Sequence, residues 1–130
     1  MLLVSIVRGQ KADDEIKSLP GQSFQTLSSR WYSGHFNVSK TRHLHYLYME
    51  SLDKPATDPV LVYFNGGPGG GTISLSFMGM GPYASLDGLS KLSPWYFSWN
   101  RRANILLIDN APGAGYSYAQ RDLDIVTNDY

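Results

Sequence analysis

The 130-residue chain contains no cysteine, so no disulfide can brace it and a fold stapled by disulfides is excluded. Net charge is missing too, because eleven Lys and Arg are balanced by eleven Asp and Glu. No basic patch favours nucleic acid, and Arg101-Arg102 reads as a solvated turn rather than a binding face. Long apolar runs are absent. Leu2-Leu3-Val4-Ser5-Ile6-Val7 is too short to span a bilayer, so it offers no stable membrane insertion, and it lacks the basic flank of a complete signal peptide. The tail of a signal and an ordinary frayed start or short strand both fit those residues. Histidine is scarce, with three in all, and no Gly-x-Ser-x-Gly nucleophile elbow occurs. The nearest approach, Gly115-Tyr116-Ser117-Tyr118-Ala119, ends in alanine. What remains is the composition of at most one globular domain, 42% hydrophobic and 13% aromatic.

What the chain does have is concentrated at Val60 to Thr72. Val60-Leu61-Val62-Tyr63-Phe64 is apolar without alternation, the pattern of a strand buried on both faces of a mostly parallel sheet. It runs directly into Asn65-Gly66-Gly67-Pro68-Gly69-Gly70-Gly71, a loop at the carboxyl end of a strand, where open α/β sheets bind ligands. Three readings of the loop compete. A flexible linker fits poorly with the strand before it and with Pro68. A phosphate cradle of the Walker type needs a lysine that Gly70-Gly71-Thr72 lacks, and the dinucleotide-like Gly79-Met80-Gly81-Pro82-Tyr83-Ala84 follows no strand. An oxyanion hole is the third: backbone N–H groups aimed at the oxygen that turns negative during acyl transfer, as a Gly-rich loop supplies in α/β-hydrolases.

Asn65-Gly66-Gly67-Pro68-Gly69, Gly81-Pro82, Ser98-Trp99-Asn100, Ala103-Asn104 and Pro112-Gly113-Ala114-Gly115-Tyr116-Ser117-Tyr118 resemble, in order and spacing, the N-terminal part of the serine carboxypeptidases. Leu19-Pro20-Gly21, Tyr32-Ser33-Gly34 and Tyr46 to Ser51 are similar as well, so the resemblance covers nearly everything from Leu19 onward. It implies an α/β fold: the leading part of an α/β-hydrolase sheet, an N-terminal antiparallel hairpin followed by buried strands, incomplete within this chain. Residues 1–18 are then the remnant of a signal peptide and a polar lead, and 19–130 the N-terminal part of the hydrolase domain.

The resemblance further implies serine-type carboxypeptidase activity of the complete protein, acting on the C-terminus of a peptide or protein without a cofactor or metal. The backbone N–H of Gly67 matches an oxyanion donor. Asn65, with Gly66 and Tyr63 beside it, matches the substrate-binding loop, Asn65 hydrogen-bonding the free carboxylate. The bland reading of Asn65 is a turn residue at the strand end. The family's nucleophile elbow lies downstream of Ser117, which is not the nucleophile, so no triad residue is placed in these 130 residues and the chain alone is expected to be inactive. Two departures are specific. Gly70 stands where the family usually has a cysteine, and Gly79, fourteen residues after Asn65, where it usually has a glutamate that shares a proton with a second acid to grip the substrate carboxylate. The alternative is therefore a non-catalytic carboxypeptidase-like binding module, or an inactive fragment.

Family resemblance favours the secretory route, with the lysosome or vacuole or the cell exterior as destination, and Asn37-Val38-Ser39 is an N-glycosylation acceptor at Asn37. Trp31 to Val38 and His43 to Met49 alternate around a polar Ser39–Arg42 turn, predicting a hairpin. His35, His43 and His45 fall on it; without a third ligand or a His-Glu spacing they read as exposed or half-buried strand residues. Asp53 to Pro59 is a surface connection. Ile73 to Met80 predicts a short helical or irregular segment with methionines filling core gaps, and Leu86 to Ser98 a loop anchored by its aromatics. Asn104 to Asp109 is a second buried strand, leading into the Gly-rich turn 110–115. Arg121 to Tyr130 reads as a loop before a further helix. With its sheet uncovered, the isolated chain is expected to be poorly soluble or partly folded.

Overall fold

The computed structural model describes residues 12–65, 69–85 and 91–125. Its core is a mixed sheet built from β1 (Glu15–Ile16), β2 (Trp31–Asn37), β3 (Arg42–Met49), β4 (Val60–Phe64), β7 (Asn104–Ile108) and β8 (Tyr118–Ala119). The order across it is β1-β2-β3-β7-β4, with β8 also on β3. β4 and β7 run parallel and every other pair is antiparallel. A second, two-stranded ladder joins β5 (Tyr83–Ser85) to β6 (Leu92–Pro94). Among the described residues the helical segments are all of the 3₁₀ type, the longest being Ile73–Phe77.

The predicted hairpin forms, in register from Trp31 opposite Met49 to Asn37 opposite His43. Its turn closes where the polar residues lie: Ser39 Oγ accepts from the N–H groups of Thr41 (3.2 Å) and Arg42 (3.1 Å). Strand periodicity then divides the side chains between two faces. One face carries Trp31, Leu47, Met49, Ile105 and Leu107 into a core completed by Leu19, Met80, Tyr83 and Leu92. The other carries Tyr32, Tyr46, Tyr48 and Leu106, with Phe36, Val60, Val62 and Ile108 against them. Because β7 is flanked by β3 and β4 and covered on both faces, Asn104 to Leu107 are all buried, as the unalternating sequence predicts.

β4 departs from that expectation. Among the described residues it ends the strand order beside β7, and there Val60 to Tyr63 are half-buried and Phe64 is 53% exposed. An apolar run reports what a strand can bury, whereas its place in the order decides what is covered. Met80 fills the core as expected, but Met78 points to solvent at 76% exposure. The segment expected as a loop anchored by aromatics differs as well: Leu92 is buried within β6, while Tyr96, Phe97 and Trp99 are exposed. Residues 86–90 lie outside the described part. Glu15–Ile16, assigned from sequence to a polar lead, adds a strand to β2.

The motif asparagines act as staples. Asn100 Nδ2 donates to the Glu50 carbonyl (3.1 Å), and its own carbonyl accepts from Leu52 N–H (2.8 Å). Buried Asn104 accepts from Ser51 N–H (3.0 Å) and donates to the carbonyls of Pro55 and Asp58 (3.1 Å each). Together they hold the 50–58 connection against β7, which leads the chain into β4.

Candidate functional site

The parallel pairing of β4 and β7 puts both carboxyl ends on one side of the sheet, Phe64 beside Ile108. Asn65 follows the first and Asp109 the second, so the two Gly-rich turns emerge together. Asn65 is half-buried, and its N–H points to Thr72 Oγ1 at 3.4 Å. Gly66, Gly67 and Pro68 lie outside the described residues, so the oxyanion donor expected at Gly67 and the substrate contact expected at Gly66 have no described geometry. Tyr63 is half-buried in β4 and packs against the Trp31 core.

Asp109 organises the junction of the two turns. Its side chain is fully buried and accepts three N–H groups: Thr72 N–H on Oδ1, and Tyr116 N–H and His45 Nδ1–H, each at 3.1 Å, on Oδ2. Three donors from three segments satisfy a carboxylate that water cannot reach. Thr72 Oγ1 also donates to the Ile108 carbonyl (2.7 Å). Ser117 Oγ donates to the Asp109 carbonyl (2.5 Å) and accepts from His45 N–H (2.7 Å), so the serine nearest to an elbow pattern has its proton committed to the backbone.

His45 corrects the expectation of exposed or half-buried strand histidines, for it is 6% exposed. Burial pushes its pKa below the ordinary value, against the pull of the Asp109 carboxylate and with some help from His35. The ring is therefore neutral at neutral pH. Its Nδ1 carries the hydrogen given to Asp109, and Nε2 accepts from Ser33 Oγ at 2.8 Å. Ser33, His45 and Asp109 form a hydrogen-bonded chain turned inward, with the ring shielded from solvent and both its nitrogens used.

His35 and His43 behave as expected, exposed and half-buried. Tyr118 stacks on His43 (centroids 4.6 Å) and meets His35 edge-on (5.3 Å), while the Tyr116 carbonyl lies 3.1 Å from His35 Nε2. The Tyr116-Ser117-Tyr118 motif thus covers the hairpin. Asn37 is exposed at the end of β2, with Oδ1 2.7 Å from His43 Nδ1. Among the described residues no cluster of three His, Asp or Glu side chains could hold a metal, and no helix is long and apolar enough to cross a membrane. A cavity of about 600 Å³, lined by residues such as Phe24, Tyr83, Trp95 and Arg101, shares no residue with the Asp109 cluster.

Sequence reasoning reached Asn65 and the two Gly-rich turns but missed Asp109, His45, Thr72 and Ser33. Two signals were available. An acidic residue closing the apolar run Ile105 to Ile108 stands at a carboxyl strand end, and His43 and His45, two apart, share a sheet face.

A mixed sheet with its loops at the carboxyl ends of parallel β4 and β7 is the leading part of an α/β-hydrolase sheet. The chain belongs to the serine carboxypeptidase family, whose profile it matches over residues 20–130. It is 40% identical over 119 residues to the serine carboxypeptidase ctsa-3.1 of Caenorhabditis elegans, covering 89% of this chain and 20% of that protein. Against the mouse lysosomal protective protein it is 39% identical over 118 residues, covering 89% and 24%. The fold is similar to that of Kex1(delta)p, a prohormone-processing carboxypeptidase from Saccharomyces cerevisiae, with a TM-score of 0.68, 22% identity, and coverage of 88% of this chain and 27% of the other. The chain thus spans a fifth to a quarter of the length of these relatives.

Proposed function

We propose that the complete protein is a serine carboxypeptidase that releases C-terminal residues from peptides, and that this chain supplies its oxyanion-side and substrate-carboxylate loop. The observation that carries the reading is the junction of two Gly-rich turns at the carboxyl ends of β4 and β7, in a chain of this family. In it Gly67 N–H stabilises the tetrahedral oxyanion, a donor whose loss costs about 3–4 kcal/mol of transition-state stabilisation, and Asn65, flanked by Gly66 and Tyr63, binds the substrate carboxylate. A serine, aspartate and histidine outside these residues perform the acyl transfer. The protein follows the secretory route to a lysosome or vacuole or the cell exterior, and Asn37, exposed on the hairpin, is glycosylated.

A second reading, a carboxypeptidase-like protein without the activity, is favoured by Gly79. Its φ of +116° lies where side chains other than glycine are strained, and a Cβ there would come 3.5 Å from the Trp95 indole nitrogen. The backbone at that position is built for glycine, so the carboxylate-gripping glutamate of the family has no equivalent there. Assay of the complete protein on N-blocked dipeptides separates the readings. Release of the C-terminal residue, with a KM raised at least tenfold by Asn65→Ala, supports the first; no release, together with no labelling by a fluorophosphonate, supports the second.

A further inference from the structure

We propose that Asp109 is the positioning residue of this site, a single buried carboxylate that sets where both Gly-rich turns leave the sheet and, through Thr72, where Asn65 stands. The inference rests on the carboxypeptidase reading in so far as Asn65 touches substrate.

The geometry has three parts. First, the donors to Asp109 come from the exit of the first turn (Thr72), the exit of the second (Tyr116) and the middle of the sheet (His45). A carboxylate held from three directions cannot rotate, and neither turn can shift without giving up a hydrogen bond to it. Second, Thr72 passes the constraint on. Its hydroxyl donates to the Ile108 carbonyl at 2.7 Å and faces Asn65 N–H at 3.4 Å, so both ends of the 65–72 loop are referred to the end of β7. Third, the turns touch backbone to backbone. A Cβ on Gly71 would come 3.0 Å from the Gly115 Cα, and a Cβ on Gly115 would collide with the Asp109 carboxylate.

His45 keeps the carboxylate in place. Neutral, it gives Nδ1–H to Asp109 while Ser33 fixes the far side of the ring. Asparagine at 109 would be isosteric yet would turn an NH₂ group toward at least one of the three donors, since only its oxygen accepts. Valine at 72 would keep the shape and remove the hydroxyl.

The test uses the complete protein with Asp109→Asn, Thr72→Val and Thr72→Ser. Amide hydrogen exchange reads positioning directly. In Asp109→Asn the amides of Thr72 and Tyr116 are expected to exchange at least tenfold faster, while those of β2 and β3 keep their protection; unchanged exchange at Thr72 and Tyr116 overturns the proposal. Kinetics on an N-blocked dipeptide read the consequence. Thr72→Val is expected to raise KM at least tenfold with kcat altered less than about threefold, and Thr72→Ser to restore KM. A Thr72→Val enzyme with wild-type KM overturns the proposal, as does one that Thr72→Ser does not rescue. If the wild-type protein cleaves nothing, the carboxypeptidase reading fails while the exchange result still decides the role of Asp109. If Asp109→Asn does not fold, exchange at Asn65 in Thr72→Val, expected to be at least tenfold faster, decides in its place.

Discussion

Replacing Asn104 tests whether the family's Ala103-Asn104 motif is a structural staple. Asn104 is buried and holds three backbone partners: Ser51 N–H donates to its oxygen, and its NH₂ donates to the carbonyls of Pro55 and Asp58. The partners differ in what they lose. Ser51 is buried, so its N–H would be left without water, a loss of about 1–3 kcal/mol. Pro55 is exposed and Asp58 half-buried, so their carbonyls can turn to solvent and each forfeits the ordinary net value of about 0.5–1.5 kcal/mol. Asn104→Leu, which keeps the number and branching of the heavy atoms and leaves no cavity, should therefore destabilise by about 2–6 kcal/mol. The measurement is urea unfolding of the complete protein followed by tryptophan fluorescence, with the slope m checked for constancy. Asn104→Ala should cost at least as much, since it adds a cavity. If Asn104→Leu were within about 0.5 kcal/mol of wild type, the hydrogen bonds would contribute nothing net and the staple reasoning would be wrong.

The remaining predictions concern charge and backbone. Burial holds the folded His45 pKa below the ordinary 6.5, so the unfolded chain takes up a proton first as pH falls. The stability contribution is complete above pH 6.5 and is lost as pH drops from there toward the lowered folded value; His45→Gln should flatten the melting temperature across that window. Asp124, hydrogen-bonded by Arg121 Nε at 2.8 Å and Nη2 at 3.0 Å, has its pKa lowered from 3.8 to about 2. Its contribution is present above 3.8 and lost as pH falls toward 2, and the carboxyl carbon shift in an NMR titration should report the low midpoint, moving up toward the ordinary range in Arg121→Gln, where the Thr41 hydrogen bond and the Arg42 charge still lower it. Gly115→Ala, at φ +53° and against the Asp109 carboxylate, should lower the melting temperature more than Gly69→Ala, which has φ +83° but open space around it. Equal shifts would mean that backbone strain alone decides the cost and the carboxylate contact does not.

The alternating hairpin residues, the apolar run Asn104 to Ile108 and the Gly-rich turn that follows it needed no tertiary information. Side-chain period and glycine's tolerance of unusual backbone angles are local properties, and those elements formed where the residues said they would. The five separated motifs carried the family in the same way, because their order along the chain is itself sequence information. Strand order is not local. Val60 to Phe64 reads like Asn104 to Ile108, yet among the described residues the first pairs with β7 alone and the second lies between β3 and β4, and nothing in either run says which. The Asp109 cluster lay beyond reach for the same reason. His45 and Asp109 are 64 residues apart, and Thr72 and Asp109 are 37. A histidine on a strand face is half-buried or fully buried according to what later chain folds over it; here Tyr116 and Ser117 do so for His45. Asn104 reads as the first residue of a strand until the 50–58 connection arrives to be held. Local chemistry wrote the elements, and long-range packing assigned each its neighbour.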